Sequence, residues 1–213
     1  IMKILILIIL VISFIFSTEI GEVRRYNGIS IGSRKATFHL EAYFDLLCPY
    51  SRNSYKNLLE SFKESLLLSH ENMKFTVHFL PLPYNRESSY IQSLAVHHVQ
   101  STFGDAHAFK FMSLIFTHQE EFSKEKTQTK TRIDIENDVA NLASTYLSYN
   151  LEEFLAGIRS DKANNEAKYS FEFACSKGVF STPTFLGNGV EIEGANEFSP
   201  IDWTNLLTSN VVN

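Results

Sequence analysis

Cys48-Pro49-Tyr50-Ser51 stands where an apolar, β-prone stretch gives way to a helical one, and a Thr182-Pro183 pair returns late in the chain. Proline suits the first position of a helix, because its missing N–H would be unpaired there anyway. Cys48 is then expected as the N-cap, against free backbone N–H groups and the positive end of the helix dipole. Such a place favours a thiolate, and the thiolate is the form of sulfur that attacks. The spacing thus points to thiol–disulfide exchange, with one departure. Ser51 holds the place of the second cysteine of a C-x-x-C pair, one turn on, with its hydroxyl expected on the Cys48 sulfur. Thr182-Pro183 opens an apolar run. Proline removes most of the penalty of a cis bond, although trans is the commoner form. A cis bond there would turn backbone groups outward beside Cys48, ready for an extended thiol substrate.

Other residues compete for roles. Asp45, three before Cys48, could take the thiol's proton or raise its affinity for it, or simply hydrogen-bond the following loop. Cys175 follows Phe171 by four residues, on the apolar side of an expected helix, and reads as a small buried hydrophobe. A resolving or disulfide-forming role is the alternative. His97-His98 are adjacent and diverge on a helix. His118-Gln119-Glu120 reads as a solvated or capping cluster. The histidines and two cysteines show no metal spacing, so no metal is expected. A Gly-rich phosphate loop and a G-x-S-x-G element are both absent from the sequence.

Positioning these residues requires a scaffold. The pattern predicts a strand over 36–46, a helix over 51–68 and a strand over 73–80, stopped by Pro81 and Pro83. Helices follow over 88–100, 105–119 and 133–149, with 123–131 a polar loop and 151–158 a short helix. A helix over 164–177 places Ala167, Phe171, Ala174 and Gly178 along one face, with Gly178 as its terminator. Residues 184–186 and 190–193 flank Gly187-Asn188-Gly189 as a hairpin. A last helix spans 199–207, with Ser199 as cap and Pro200 at its first position. Strand–helix–strand at the front implies parallel pairing and the hairpin antiparallel pairing. The expected class is α/β, with a mixed central sheet and a helical subdomain inserted over 84–160.

The chain has 213 residues, 44% of them hydrophobic and 13% aromatic with 18 phenylalanines, enough for one domain with a substantial core. Its net charge of −5, without a basic stripe, excludes nucleic acid as an expected partner. Met2-Lys3 followed by the apolar run 4–16 reads as a secretory leader over 1–18. The run is shorter than the roughly 20 residues of a membrane span. The remainder, 19–213, is expected as a single domain in the secretory pathway, in the endoplasmic reticulum lumen or outside the cell. No stable membrane span is expected after leader removal.

At Phe44-Asp45, Cys48-Pro49-Tyr50-Ser51, 178–185 (GVFSTPTF) and Asn188-Gly189 the chain resembles the DsbA-like branch of the thioredoxin superfamily. It is most similar to eukaryotic secretory thioredoxin-like proteins with a C-P-x-S site. The resemblance implies a thioredoxin-like fold, Cys48 as nucleophile, and Thr182-Pro183 as the cis-proline loop. With Pro49 and Tyr50 that loop would line the substrate site. Ser51 takes the resolving cysteine's position and cannot resolve a mixed disulfide. The implied activity is single-cysteine thiol–disulfide exchange or isomerisation on cysteine-containing proteins or peptides, with no bound cofactor and glutathione as a possible co-substrate. Two other readings stand beside it. One is a redox-inert module that binds extended peptides. The other is a glutathione-linked transferase or isomerase, because kappa-class glutathione transferases and 2-hydroxychromene-2-carboxylate isomerases carry a similar S-P-Y-S segment.

Overall fold

A computed structural model describes residues 28–65 and 71–211 of the chain. The leader expected over 1–18, and residues 66–68 of the first expected helix, lie outside the described residues. β1 (Ile29–Gly32), β2 (Phe38–Phe44), α1 (Pro49–Ser65) and β3 (Met73–Phe79) open the fold. α2 (Arg86–Phe103), α3 (Asp105–Thr117), α4 (Lys124–Thr127), α5 (Arg132–Leu147) and α6 (Leu151–Ile158) follow. α7 (Asp161–Ser176), β4 (Thr184–Gly187), β5 (Val190–Glu191) and α8 (Pro200–Val211) complete it. The five strands form one mixed sheet in the order β1-β3-β2-β4-β5. β2 and β3 pair in parallel across the α1 crossover, and β1, β4 and β5 join antiparallel to their neighbours. This is a thioredoxin-like α/β architecture.

β2 lies at the centre of the sheet, which explains why its residues are covered on both faces. Phe38, Leu40, Ala42 and Phe44 enter the main core with Phe75, Val77 and Phe79 of β3. Tyr43 points the other way, into a smaller cluster with Leu80, Leu82, Ala174, Val179 and Leu186. On that second face Tyr43 donates its hydroxyl proton to buried Glu41 (2.7 Å) and stacks on His78. Burial holds the His78 imidazole neutral, its pKa pushed down to about 3. α8 closes the first face. Its Trp203 is fully buried and meets Phe185 edge-on at 4.7 Å between ring centroids. Such a pair contributes about 0.5–1.5 kcal/mol beyond its buried area.

α7 differs from the expected face. Ala163, Ala167, Ser170 and Ala174 are its buried positions, whereas Phe171 is 41% exposed and Cys175 half-buried. Small residues let α7 lie close to β3, and Ser170 Oγ accepts the Phe79 N–H at 2.8 Å. Residue hydrophobicity suggested Phe171, but the separation from the sheet selected the alanine row. Gly178, at φ 75°, terminates α7: its own N–H and that of Val179 reach back to Cys175 O and Ala174 O, both at 3.0 Å. The left-handed backbone at Gly178 is what turns the chain so that these carbonyls are satisfied. The 123–131 stretch, expected as loop, contains α4, which Ser123 nucleates by accepting the Lys126 and Thr127 N–H groups. Its uniformly polar composition left no periodic signal.

The helices between β3 and α7 pack on one another and on β1 and β3. Gly157 of α6 sits so close to α2 that a Cβ there would fall 2.0 Å from the His98 ring. Glu136 of α5 fastens this layer. Its carboxylate accepts from Arg132 Nε (2.8 Å) and Arg159 Nε (2.7 Å), and Arg132 also reaches Glu87 of α2 at 2.7 Å. Burial alone would raise the Glu136 pKa, but the hydrogen bonds and charges of Arg159 and Arg132 outweigh it and hold the group below its ordinary value. A depressed carboxylate contributes stability above its unfolded value, near 4.3, and that contribution is lost as pH falls through the folded pKa. Urea midpoints at pH 5 and pH 3 are expected to differ by less in Glu136→Gln than in the parent. An equal pH dependence in both would contradict this role.

Candidate active site

Asp45 ends the β2 connection and builds the turn that presents Cys48. It is 1% exposed. Its Oδ1 accepts the Leu47 N–H (2.8 Å) and the Ser89 hydroxyl (2.6 Å), and its Oδ2 accepts the Leu82 N–H (2.7 Å). One carboxylate therefore joins the β2–α1 turn to the β3–α2 connection and to α2. Of the two roles open in the sequence, hydrogen bonding of the loop is the one the structure shows. Cys48 N–H closes the turn on Asp45 O (3.1 Å), and Cys48 O accepts the Arg52 N–H (3.2 Å) as the first helical bond. Cys48 is thus the N-cap of α1, with Pro49 at the first helical position.

The Cys48 thiol donates to Thr182 O at 3.3 Å, and the Thr182–Pro183 peptide bond is cis. Residues 134 apart in sequence meet at the sulfur. Cys48 is 7% exposed, so little of the residue is open to a reaction partner. Ser51 does not join this contact. Its Oγ is buried without a hydrogen-bond partner among the described residues, and the sulfur's proton goes to Thr182 O instead. The expected Ser51–Cys48 hydrogen bond is therefore corrected: Ser51 packs inward from the first turn. Thr182 Oγ1 is likewise buried and unpartnered. Cys175 stays a free thiol, as does Cys48. Among the described residues no group of three or more His, Cys, Asp or Glu could hold a metal ion, and no helix is long and apolar enough to cross a membrane.

Sequence reasoning missed three contributors. Gln119, expected in a solvated cluster, is 4% exposed, and its Nε2 donates to Leu46 O (2.8 Å) and Cys48 O (3.1 Å). Next to it Glu120 pairs with Arg52 of α1 at 2.8 Å. Consecutive residues of the inserted layer therefore grip the first turn of the nucleophile's helix. Gln119→Ala removes the donor from Leu46 O and is expected to cost about 1–2 kcal/mol. Urea denaturation checks this, and a loss below about 0.5 kcal/mol would contradict it.

Tyr84 and Phe180 are the other two. Tyr84 follows Pro81-Leu82-Pro83, which turns the chain back over the site. Slight desolvation and the neighbouring Cys48 and Asp45 push its phenol up. Tyr84, Tyr50 and Phe180 are 70%, 69% and 72% exposed. Large exposed aromatics on the first turn of α1 and on the neighbouring connections are apolar contact surface for a partner. A cavity of about 200 Å³, lined by Pro49, Tyr84, Gln119 and Lys124 among others, opens beside Tyr84. The available signal was the proline punctuation: Tyr84 and Phe180 both lie within three residues of a proline.

Comparisons with known proteins agree with this fold. The sequence profile of a family described as Thioredoxin matches residues 25–204. Among solved structures, a putative protein-disulfide isomerase from Pseudomonas syringae superposes with a TM-score of 0.68 at 19% identity, covering 84% of this chain and 97% of its own. BdbD from Bacillus subtilis gives 0.68 at 13% identity, covering 88% and 94%. Alpha-DsbA1 from Wolbachia pipientis gives 0.66 at 16%, covering 87% and 92%. No curated protein sequence matches the chain. A profile that runs from before β1 into α8, over a sheet and helical layer shared with DsbA-like structures, assigns this chain to the thioredoxin family.

Proposed function

We propose that the protein is a thiol–disulfide exchange protein of the secretory pathway that works through one sulfur, Cys48. The observation that carries this reading is the Cys48 thiol at the N-terminus of α1, 3.3 Å from the carbonyl that precedes cis Pro183. Solved relatives of the fold named as a disulfide isomerase and as a DsbA support the same kind of chemistry. The Cys48 thiolate attacks one sulfur of a client disulfide. That S–S bond breaks, the other client sulfur leaves as a thiolate with the electron pair, and a mixed disulfide with Cys48 forms. Ser51 cannot displace the client. A second client cysteine can, by attacking the client sulfur of the mixed disulfide; a rearranged client disulfide forms and the Cys48 thiolate is regenerated without net oxidation. Glutathione can do the same from solution and leave a client–glutathione disulfide. Thr182, Pro183, Pro49 and Tyr50 are the proposed client contacts.

The test is mass spectrometry of the parent, Cys48→Ala and Cys175→Ala chains after exposure to oxidised glutathione. One glutathionyl group is expected on the parent and on Cys175→Ala, and none on Cys48→Ala. Modification of Cys175 with Cys48 silent would sink the reading. The low exposure of Cys48 beside three exposed aromatics favours a second one, a module that binds extended peptides without redox chemistry. Unchanged client binding by Cys48→Ala, with no adduct on the parent, would select it.

A further inference from the structure

Behind the Pro81–Pro83 segment, a groove of about 460 Å³ runs between the start of α2 and the outer face of α7. Its walls are apolar: Pro81, Pro83, Tyr90 and the exposed ring of Phe171. That volume lies within the range of small-molecule sites, about 300–1,000 Å³. Three charged residues line it, and they are not equivalent. Glu87 is neutralised by Arg132 at 2.7 Å. Lys168 meets Glu172 only at 3.6 Å on an exposed helix face. Arg86 makes no ion pair among the described residues. The local charge is therefore positive, and α2 begins here without a side-chain cap, so its positive end adds to the field.

Arg86 is also strained. Its backbone sits at φ 63°, ψ −176°, a region that glycine occupies almost alone. A strained residue on the wall of an apolar groove, with no ion partner among the described residues, has the character of a ligand clamp.

We infer that this groove binds an amphipathic carboxylate: one anionic head, held by Arg86 and Lys168, on an unbranched or aromatic apolar body laid against Phe171 and Tyr90. The walls favour this over a peptide. Pro81 and Pro83 have no N–H to offer, and α7 and α2 beyond its first turn spend their backbone groups internally. The groove has no strand edge, so an extended peptide would lose hydration along its backbone without recovering hydrogen bonds. A ligand with its polarity at one end avoids that loss. The site is distinct from Cys48 and does not depend on its reactivity.

Isothermal titration calorimetry with dodecanoate, below its micelle concentration, tests this on the folded chain. One saturable site in the roughly micromolar range is expected. Charge reversal in Arg86→Glu/Lys168→Glu should weaken it by about tenfold or more, and Phe171→Ala should weaken it too. Arg86→Gly should weaken binding while raising the melting temperature, since glycine relieves the backbone strain; that combination separates lost recognition from lost folding. Cys48→Ala should bind like the parent. Equal affinity in the charge-reversed variant, equal affinity for dodecan-1-ol, or binding of an acidic–apolar hexapeptide with none of dodecanoate would each overturn the inference.

Discussion

Ser51→Cys is expected to give the protein a net dithiol-oxidising activity that the parent lacks. Ser51 lies three residues after the N-cap sulfur, buried, with an oxygen that has no hydrogen-bond partner among the described residues. Replacing that oxygen by sulfur breaks no contact. Oxidised glutathione, added before the assay, converts the variant's two thiols to a disulfide between the introduced sulfur and Cys48 and leaves as two glutathione thiols. A client thiolate attacks the Cys48 sulfur of that bond, and the introduced sulfur leaves with the electron pair. The client's second thiolate then attacks the client sulfur of the mixed disulfide and releases Cys48, so a client dithiol becomes a disulfide and the variant a dithiol. The parent has no internal disulfide to deliver. The high effective concentration of the second thiol lets the variant hold an internal disulfide that the parent can replace only by a mixed disulfide with an outside thiol, so oxidation of a dithiol peptide by the pre-oxidised variant should be faster by on the order of 10²-fold or more. Stopped-flow with a fluorogenic dithiol peptide measures it. Rates that match the parent's would mean that position 51 cannot reach Cys48, and would remove the view of Ser51 as a vacated resolving position.

The second large effect is on stability. Asp45→Ala strips the acceptor from the Leu47 and Leu82 N–H groups and from the Ser89 hydroxyl at once. Each buried donor left unpaired costs about 1–3 kcal/mol. A loss of about 3 kcal/mol or more follows, and with it a melting temperature lower by roughly 6–12 °C for a domain of this size. Asp45→Asn separates the contacts. An amide oxygen at the Oδ1 position keeps Leu47 and Ser89, while the amide nitrogen at the other position meets the Leu82 N–H donor to donor. The expected order is parent, then Asn, then Ala, read from thermal melts. If Ala and Asn are equal, the Leu82 contact alone carries the effect and the three-way junction is not what holds the turn.

The same residues explain what could be read from the chain and what could not. β2 and β3 declare themselves through β-branched and aromatic residues in short runs, and Pro81 marks where the second must stop. α1 and α8 announce their starts through proline at the first helical position. Pro49 makes the helix mouth behind Cys48 legible, whereas a cis Thr182-Pro183 bond, trans being the commoner form, is expected only through the resemblance to DsbA-like proteins. The framework around them is not legible. Asp45 meets Leu82, Ser89 meets Asp45, and Gln119 meets Leu46 across separations of 37, 44 and 73 residues. Carboxylates, serines and glutamines are common on surfaces, so composition favours a solvated reading. Only the packed topology reveals that these ones are inside. Phe171 fails in the opposite sense: an apolar side chain at helical spacing was assigned inward, while close approach of α7 to β3 required alanine and serine.

The grip of Gln119 and Glu120 on Leu46, Cys48 and Arg52 has a mechanical consequence. The loop that carries the nucleophile is suspended between two bodies, the sheet beneath it and the helical layer beside it, so any displacement of that layer must tug on the carbonyl of the reacting residue itself.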